Sequence, residues 1–217
     1  MTKNKLKNCE DSPVYNAAEL FCDSEIDFKA IEKSVRDILV AVGENPEREG
    51  LIKTPNRVAR AYGELLEGYR TDPFKLVNKA TFKANYDDMV IVRDIEFYSL
   101  SEHHMLPFLG RAHIAYLPKG EVIGLSKIPR IVDMFSRRLQ IQEKMTRQIA
   151  DFLQTLLEPR GVAVVIEAVH LCGMIRGVRK HDARMTTSSM IGAFRNNEAT
   201  RIEFLDNISR GAKPMEF

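Results

Sequence analysis

The 217-residue chain is 44% hydrophobic and 29% charged, and its 32 basic and 30 acidic residues leave a net charge of +2. That balance gives no footing for non-specific nucleic-acid binding, so an anionic ligand has to be met by a local cluster of positive charge. Three cysteines (Cys9, Cys22 and Cys172) do not make a disulfide framework, and no apolar run is long enough for a membrane span or a signal peptide; we expect a cytoplasmic protein.

Residues 1–24 have no sustained periodicity and read as a mobile N-terminal arm. From Asp27 onward, Phe28, Ile31, Val35, Ile38, Leu39 and Val42 recur at helical spacing until Gly43 stops the pattern. A second helix opens at Thr54-Pro55 with Thr54 as its cap, carries Val58, Ala61, Leu65 and Leu66 on one side, and ends near Gly68. We expect these two helices to pack together as one unit, residues 25–72, ahead of a second domain over residues 73–217.

Beyond Pro73 the pattern turns to β. Residues 89–98 alternate with a shift of face, residues 110–117 form a second strand and residues 122–124 a short third piece. Ser126 caps a helix carrying Ile128, Ile131, Val132, Met134 and Phe135, and a longer helix follows over residues 142–157. Residues 162–172 form the strongest strand, residues 185–194 the last one, and residues 198–209 a terminal helix. Two strands, two helices and two strands predict an α+β fold, an antiparallel sheet with helices on one face.

The chemistry concentrates in a few segments. Ser101-Glu102-His103-His104 places two imidazoles near a turn, and imidazole and thiolate are good ligands for a borderline-soft divalent metal. In a strand over residues 162–172 the period of two puts His170 and Cys172 on one face. Either residue alone is a satisfied histidine or a small buried thiol; together with His103 and His104 they point to a shared site. Ser126, Lys127 and Arg130 make an anion cradle at a helix start, with Arg176 four residues beyond Cys172, although a capped, solvated helix accounts for the same segment. Glu143 is by itself an ordinary helix-surface residue, but a buried carboxylate there could accept two N–H bonds from a guanine edge. Glu102 and Glu167 stay open.

Together these segments resemble GTP cyclohydrolase I. The matching stretches are Ser-Glu-His-His at 101–104, Gly-Arg-Ala-His-Ile-Ala-Tyr-Leu-Pro at 110–118, Gly-Leu-Ser-Lys-Ile-Pro-Arg-Ile-Val at 124–132, Arg-Leu-Gln-Ile-Gln-Glu-Lys-Met-Thr at 138–146, Val-Ile-Glu-Ala-Val-His-Leu-Cys at 165–172 and Arg-Gly-Val at 176–178, with Thr-Pro-Asn-Arg-Val-Ala at 54–59. The resemblance spans roughly residues 28–209. It implies the tunnelling fold, in which the sheets of several subunits close into a barrel, as a homodecamer with active sites at subunit interfaces. The implied activity is hydrolytic opening of the guanine imidazole ring of GTP, giving formate and 7,8-dihydroneopterin triphosphate for folate or tetrahydrobiopterin synthesis.

By position, His104 and Cys172 resemble two ligands of a catalytic Zn2+, and His103 and His170 the proton-transfer histidines. Glu143, with Gln142 beside it, would hold the guanine. Ser126, Lys127, Arg130 and Arg176 would bind the triphosphate, and Arg57 would reach it from a neighbouring subunit. One position departs from the family: Ser101 stands where the third zinc ligand is a cysteine. A hydroxyl is far less acidic than a thiol and its neutral oxygen is a poor zinc donor. Cys9 and Cys22, in the arm, are not expected to replace it. Three accounts fit this change: an engineered trap for bound GTP, a natural site completed by water or another ligand, or a non-catalytic GTP- or pterin-binding oligomer. A nitrile reductase on the same fold is disfavoured, because it needs a nucleophilic cysteine and only Cys172 lies outside the arm.

Overall fold

A computed structural model describes residues 25–78 and 80–210, so the arm expected over residues 1–24, with Cys9 and Cys22, lies outside the described residues. Helix α1 (Phe28–Ala41) is capped by the Asp27 carboxylate, which accepts from the Ala30 N–H at 2.9 Å. Helix α2 (Thr54–Leu65) departs slightly from expectation. Lys53 is its cap residue, and Thr54 lies inside the helix with its hydroxyl turned back to the Gly50 carbonyl. The two helices do pack on each other. Yet the expected stripe of Val58, Ala61, Leu65 and Leu66 is not what they bury: Ala59 is the buried residue of α2, and α1 buries none.

A 3-10 turn (Glu67–Arg70) and a short helix α3 (Pro73–Val77) lead out of this pair. The turn rests on the end of helix α4 (Lys127–Ser136), and only glycine permits the approach: a Cβ on Gly68 would meet the Met134 carbonyl oxygen at 2.4 Å. Buried Arg138 ties the same corner. Its guanidinium donates to the carbonyls of Met134 at 2.8 Å and Gly68 at 2.9 Å, and it lies over the rings of Tyr69 and Phe135.

The main sheet has five strands. Strands β2 (Val90–Ser101), β3 (Pro107–Leu117), β6 (Gly161–His170) and β7 (Met185–Gly192) run antiparallel in that spatial order, and β5 (Leu139–Gln140) lies parallel to the end of β2. Strand β4 (Glu121–Ile123), the expected short piece, pairs with β1 (Thr81–Lys83) in a separate ribbon. Strand β6 is shorter than expected: it stops at His170, and Cys172 lies in a short helix α6 (Leu171–Met174). The period-two argument that placed His170 and Cys172 on one face therefore does not apply.

Helices α4 and α5 (Gln142–Leu157) cover one face, where Phe97, Phe108, Ile131, Phe135, Phe152 and Val164 are buried together. The opposite face is covered too. Ala115, Ala163 and Val165 meet Phe194 of α7 (Ala193–Asn196) and Phe204 of α8 (Glu198–Ser209). The expectation of helices on one face only is corrected by this second cluster; β6 is apolar on both sides from Val162 to Ile166, and such a run requires cover on both.

The shift of face expected in the first long strand is a β-bulge between Val92 and Ile95, with Asp94 at φ 58°. The Asp94 N–H donates to Nδ1 of His113 at 3.2 Å, and His113 is only 6% exposed. Burial pushes the His113 pKa down, against the upward pull of Asp94 and Glu167. A histidine whose folded pKa is depressed stabilises the fold fully above its unfolded value, near 6.5, and loses that contribution as pH falls below it. His113→Gln keeps an acceptor for Asp94 but cannot titrate. Thermal melts from about pH 8 to about pH 5.5 should show the parent losing more stability on acidification than the variant. Parallel curves would show that His113 is not a coupled group.

Candidate active site

Strand β2 ends at Ser101, and the chain reverses at once. The Ser101 N–H donates to the Leu106 carbonyl at 2.9 Å, the Met105 N–H to the Ser101 carbonyl at 2.8 Å, and Met105 takes φ 54°. Glu102 N–H donates to the Gln140 carbonyl at 3.1 Å, which fastens the turn to β5. Ser101 is thereby held at 7% exposure, while His103 and His104 project from the turn into solvent with ring centroids 6.4 Å apart. Nε2 of His104 lies 3.1 Å from the Arg176 guanidinium, which joins this turn to the loop after α6.

His170 stands at the end of β6, cross-strand from Phe108 of β3. The two rings stack, with centroids 4.7 Å apart and planes 1° from parallel, so the imidazole plane is fixed by a fully buried neighbour. Strand β3 can approach β6 this closely because of glycine one turn of the pleat away: a Cβ on Gly110 would meet the Glu167 carbonyl oxygen at 1.9 Å. His170 Nε2 lies 2.8 Å from Oε1 of Gln142, the first residue of α5. Burial lowers the His170 pKa and Glu143, in that first turn, raises it; a neutral imidazole at physiological pH is the favoured form.

The structure thus joins His170 with Gln142 and sets Glu143 electrically close to it, and it joins His104 with Arg176. Glu143 is exposed rather than buried, so its carboxylate is open to a ligand. Gln142 is 1% exposed and its amide faces the protein. Ser126 is the cap residue of α4 without capping through its side chain, and Lys127 opens the helix. Arg130 lines a cavity of about 540 Å³ with Arg70, Lys75, Asp133 and Arg137. Arg57 stands exposed on α2, and among the described residues no hydrogen bond or ion pair joins it to the others. Glu167 points to the face of β6 opposite Val164 and Ile166, away from His170. Phe108, Thr146 and Thr187 were not anticipated from the sequence. The only signal for Phe108 is its place in the stretch following His103-His104.

A catalytic zinc takes three protein ligands from Cys, His, Asp or Glu and leaves the fourth position open. Here the chain offers the Cys172 thiol and the His104 imidazole, with a hydroxyl at Ser101. Among the described residues no group of three His, Cys, Asp or Glu side chains is placed to hold a metal. The Arg176 N–H directed at His104 Nε2 occupies that lone pair as well. The residues present do not fit a three-ligand zinc site.

The family model described as GTP cyclohydrolase I matches residues 31–209. A protein of Chlorobaculum tepidum named GTP cyclohydrolase 1 is 57% identical over 172 residues, covering 79% of this chain and 77% of that protein. One of Leptospira biflexa with the same name is 56% identical over 182 residues, 84% of this chain and 100% of that protein. A third, from Methylococcus capsulatus, is 56% identical over 180 residues, 83% of this chain and 97% of that protein.

Restoring a thiol at position 101 isolates the metal question. Zinc titration against a competing chelator should show Ser101→Cys binding at least about 100-fold more tightly than the parent, because an anionic thiolate replaces a neutral hydroxyl. Equal affinities would show that residue 101 is not a ligand position.

Proposed function

The chain belongs to the GTP cyclohydrolase I family, and on that footing we propose that it opens the imidazole ring of GTP, releasing C8 as formate and forming 7,8-dihydroneopterin triphosphate. This is the first step of folate or tetrahydrobiopterin synthesis. The observation that carries the reading is the fixed His170, held edge-on by Gln142 and face-on by Phe108, beside the exposed Glu143 carboxylate. A carboxylate accepts two parallel N–H bonds from a guanine edge, and the neighbouring imidazole then stands near the reacting ring.

The remaining residues take their parts by charge and position. Lys127, Arg130 and Arg176, with the Ser126 hydroxyl and the α4 N-terminus, meet the triphosphate. Arg57 completes that set from a neighbouring subunit, which accounts for its isolation within one chain. His170 and His103 move the protons: a neutral imidazole takes one from the water that adds at C8 and returns it to a departing ring nitrogen. In the family the metal activates that water; the donor set of this chain supplies only His104 and Cys172, so we derive no step through it.

The reading includes the tunnelling fold, a homodecamer whose joined sheets close a barrel with active sites at the interfaces, and a cytoplasmic location. Barrel closure would remove the free edges of the five-stranded sheet. Among the described residues no helix is long and apolar enough to cross a membrane. Ser101 favours one second reading: a non-catalytic oligomer that binds GTP or a pterin on the same scaffold.

The two are separated by incubating the purified chain with GTP labelled at C8, with and without added zinc. The proposal expects labelled formate in step with dihydroneopterin triphosphate, at a rate that rises with added zinc. Stoichiometric GTP binding with no formate at any zinc concentration would establish the binding protein instead.

A further inference from the structure

The amide of Gln142 has two chemically different ends, and its surroundings distinguish them. Nε2 lies 3.1 Å from the Ile166 carbonyl oxygen and 3.0 Å from that of Met185. Backbone carbonyls only accept, so the end facing them is the NH2 group. The flipped amide would set Oε1 against both oxygens with no hydrogen between. The third neighbour of Nε2 is the Thr187 hydroxyl at 3.1 Å, and its direction follows from the same accounting. Thr146 Oγ1 donates to the Gln142 carbonyl at 2.7 Å. Its hydrogen is spent there, so the 2.7 Å contact between the two threonine hydroxyls is donated by Thr187. A lone pair of Thr187 is left facing the amide.

With the NH2 end fixed, Oε1 faces His170 Nε2 at 2.8 Å and can only accept. The imidazole must therefore carry its hydrogen on Nε2. A half-turn of the ring in its own plane would keep the stack on Phe108 but bring the carbon Cε1, not Nδ1, to the place facing Oε1. We infer that Gln142 is a positioning residue that sets the tautomer of His170, leaving Nδ1 as the ring nitrogen that accepts a proton. The order passes from two backbone carbonyls of β6 and β7, through an amide on α5, to the imidazole at the end of β6. Gln142 thus supports the histidine rather than holding guanine. The inference rests on the proposed role of His170 in proton transfer, and its physical content, the tautomer, is measurable without turnover.

The test is solid-state NMR of the full chain labelled with 15N and 13C in its five histidines, at about pH 8, where an ordinary imidazole is neutral. The His170 signal is identified by its loss in His170→Asn. The parent should show one neutral form with hydrogen on Nε2 and Nδ1 bare. Gln142→Leu, which removes the acceptor, should show both neutral forms. In turnover, Gln142→Leu should lose about 10- to 100-fold in kcat with KM for GTP changed much less. Hydrogen on Nδ1 in the parent would overturn the inference, and so would a Gln142→Leu spectrum identical to the parent's. The parent spectrum decides even where a variant fails to fold. Absence of formate from the parent would count against the proposed activity and leave the tautomer result standing.

Discussion

One buried amide organises the candidate site. Gln142 opens α5 and reaches at once to the carbonyls of Ile166 and Met185, the hydroxyl of Thr187 and the ring of His170. Gln142 is 1% exposed and its partners are buried or half-buried, so leaving its amide unsatisfied would cost about 1–3 kcal/mol, and the amide and its partners fix one another's geometry. A helix start, two strands and an imidazole are thereby locked into one arrangement. Glu143, the next residue, inherits its place from that lock.

The upstream supports serve the same end. Arg138 and Gly68 anchor the corner from which β5 departs, and β5 is only two residues long. That brevity matters, because Gln140 pairs with Ser101 and Gln142 must already begin the helix. The turn carrying His103 and His104 and the amide that orients His170 are thus separated by one residue of chain across the sheet edge. The two halves of the site are positioned by a common strand end, which explains how residues more than 60 positions apart keep register.

Much of this was legible in the sequence, for identifiable reasons. Helix α5 and the terminal helix keep the bounds expected of them, and the shift of face in residues 89–98 is the bulge at Asp94. Cys172 was misplaced because Leu171-Cys172-Gly173-Met174 continues an apolar strand run in composition while folding as a helical turn. The second apolar cluster had a visible signal, the unbroken run from Val162 to Ile166, whose only stable environment is covered on both faces. The role of Gln142 had none. Its partners lie 24 to 45 residues away, and nothing local marks a glutamine as the orienter of a histidine. Strand β5 was equally silent, since two residues cannot show a period.

Ser101 separates the two layers of the account. The scaffold around it is intact: the strand end, the turn, the oriented imidazole and the exposed carboxylate are all in place. The metal donors are not: Ser101 offers a hydroxyl, and among the described residues no group of three His, Cys, Asp or Glu side chains is placed to hold a metal. On the proposed function, a chain that keeps Glu143, His170 and Lys127 in place should bind GTP in the proposed orientation whether or not a metal is held. A crystal structure of the His170→Asn chain with GTP tests this most directly. The account predicts the guanine edge on Glu143, C8 facing residue 170 and the triphosphate on Lys127 and Arg176. Guanine bound away from Glu143, with C8 turned away from residue 170, would contradict it.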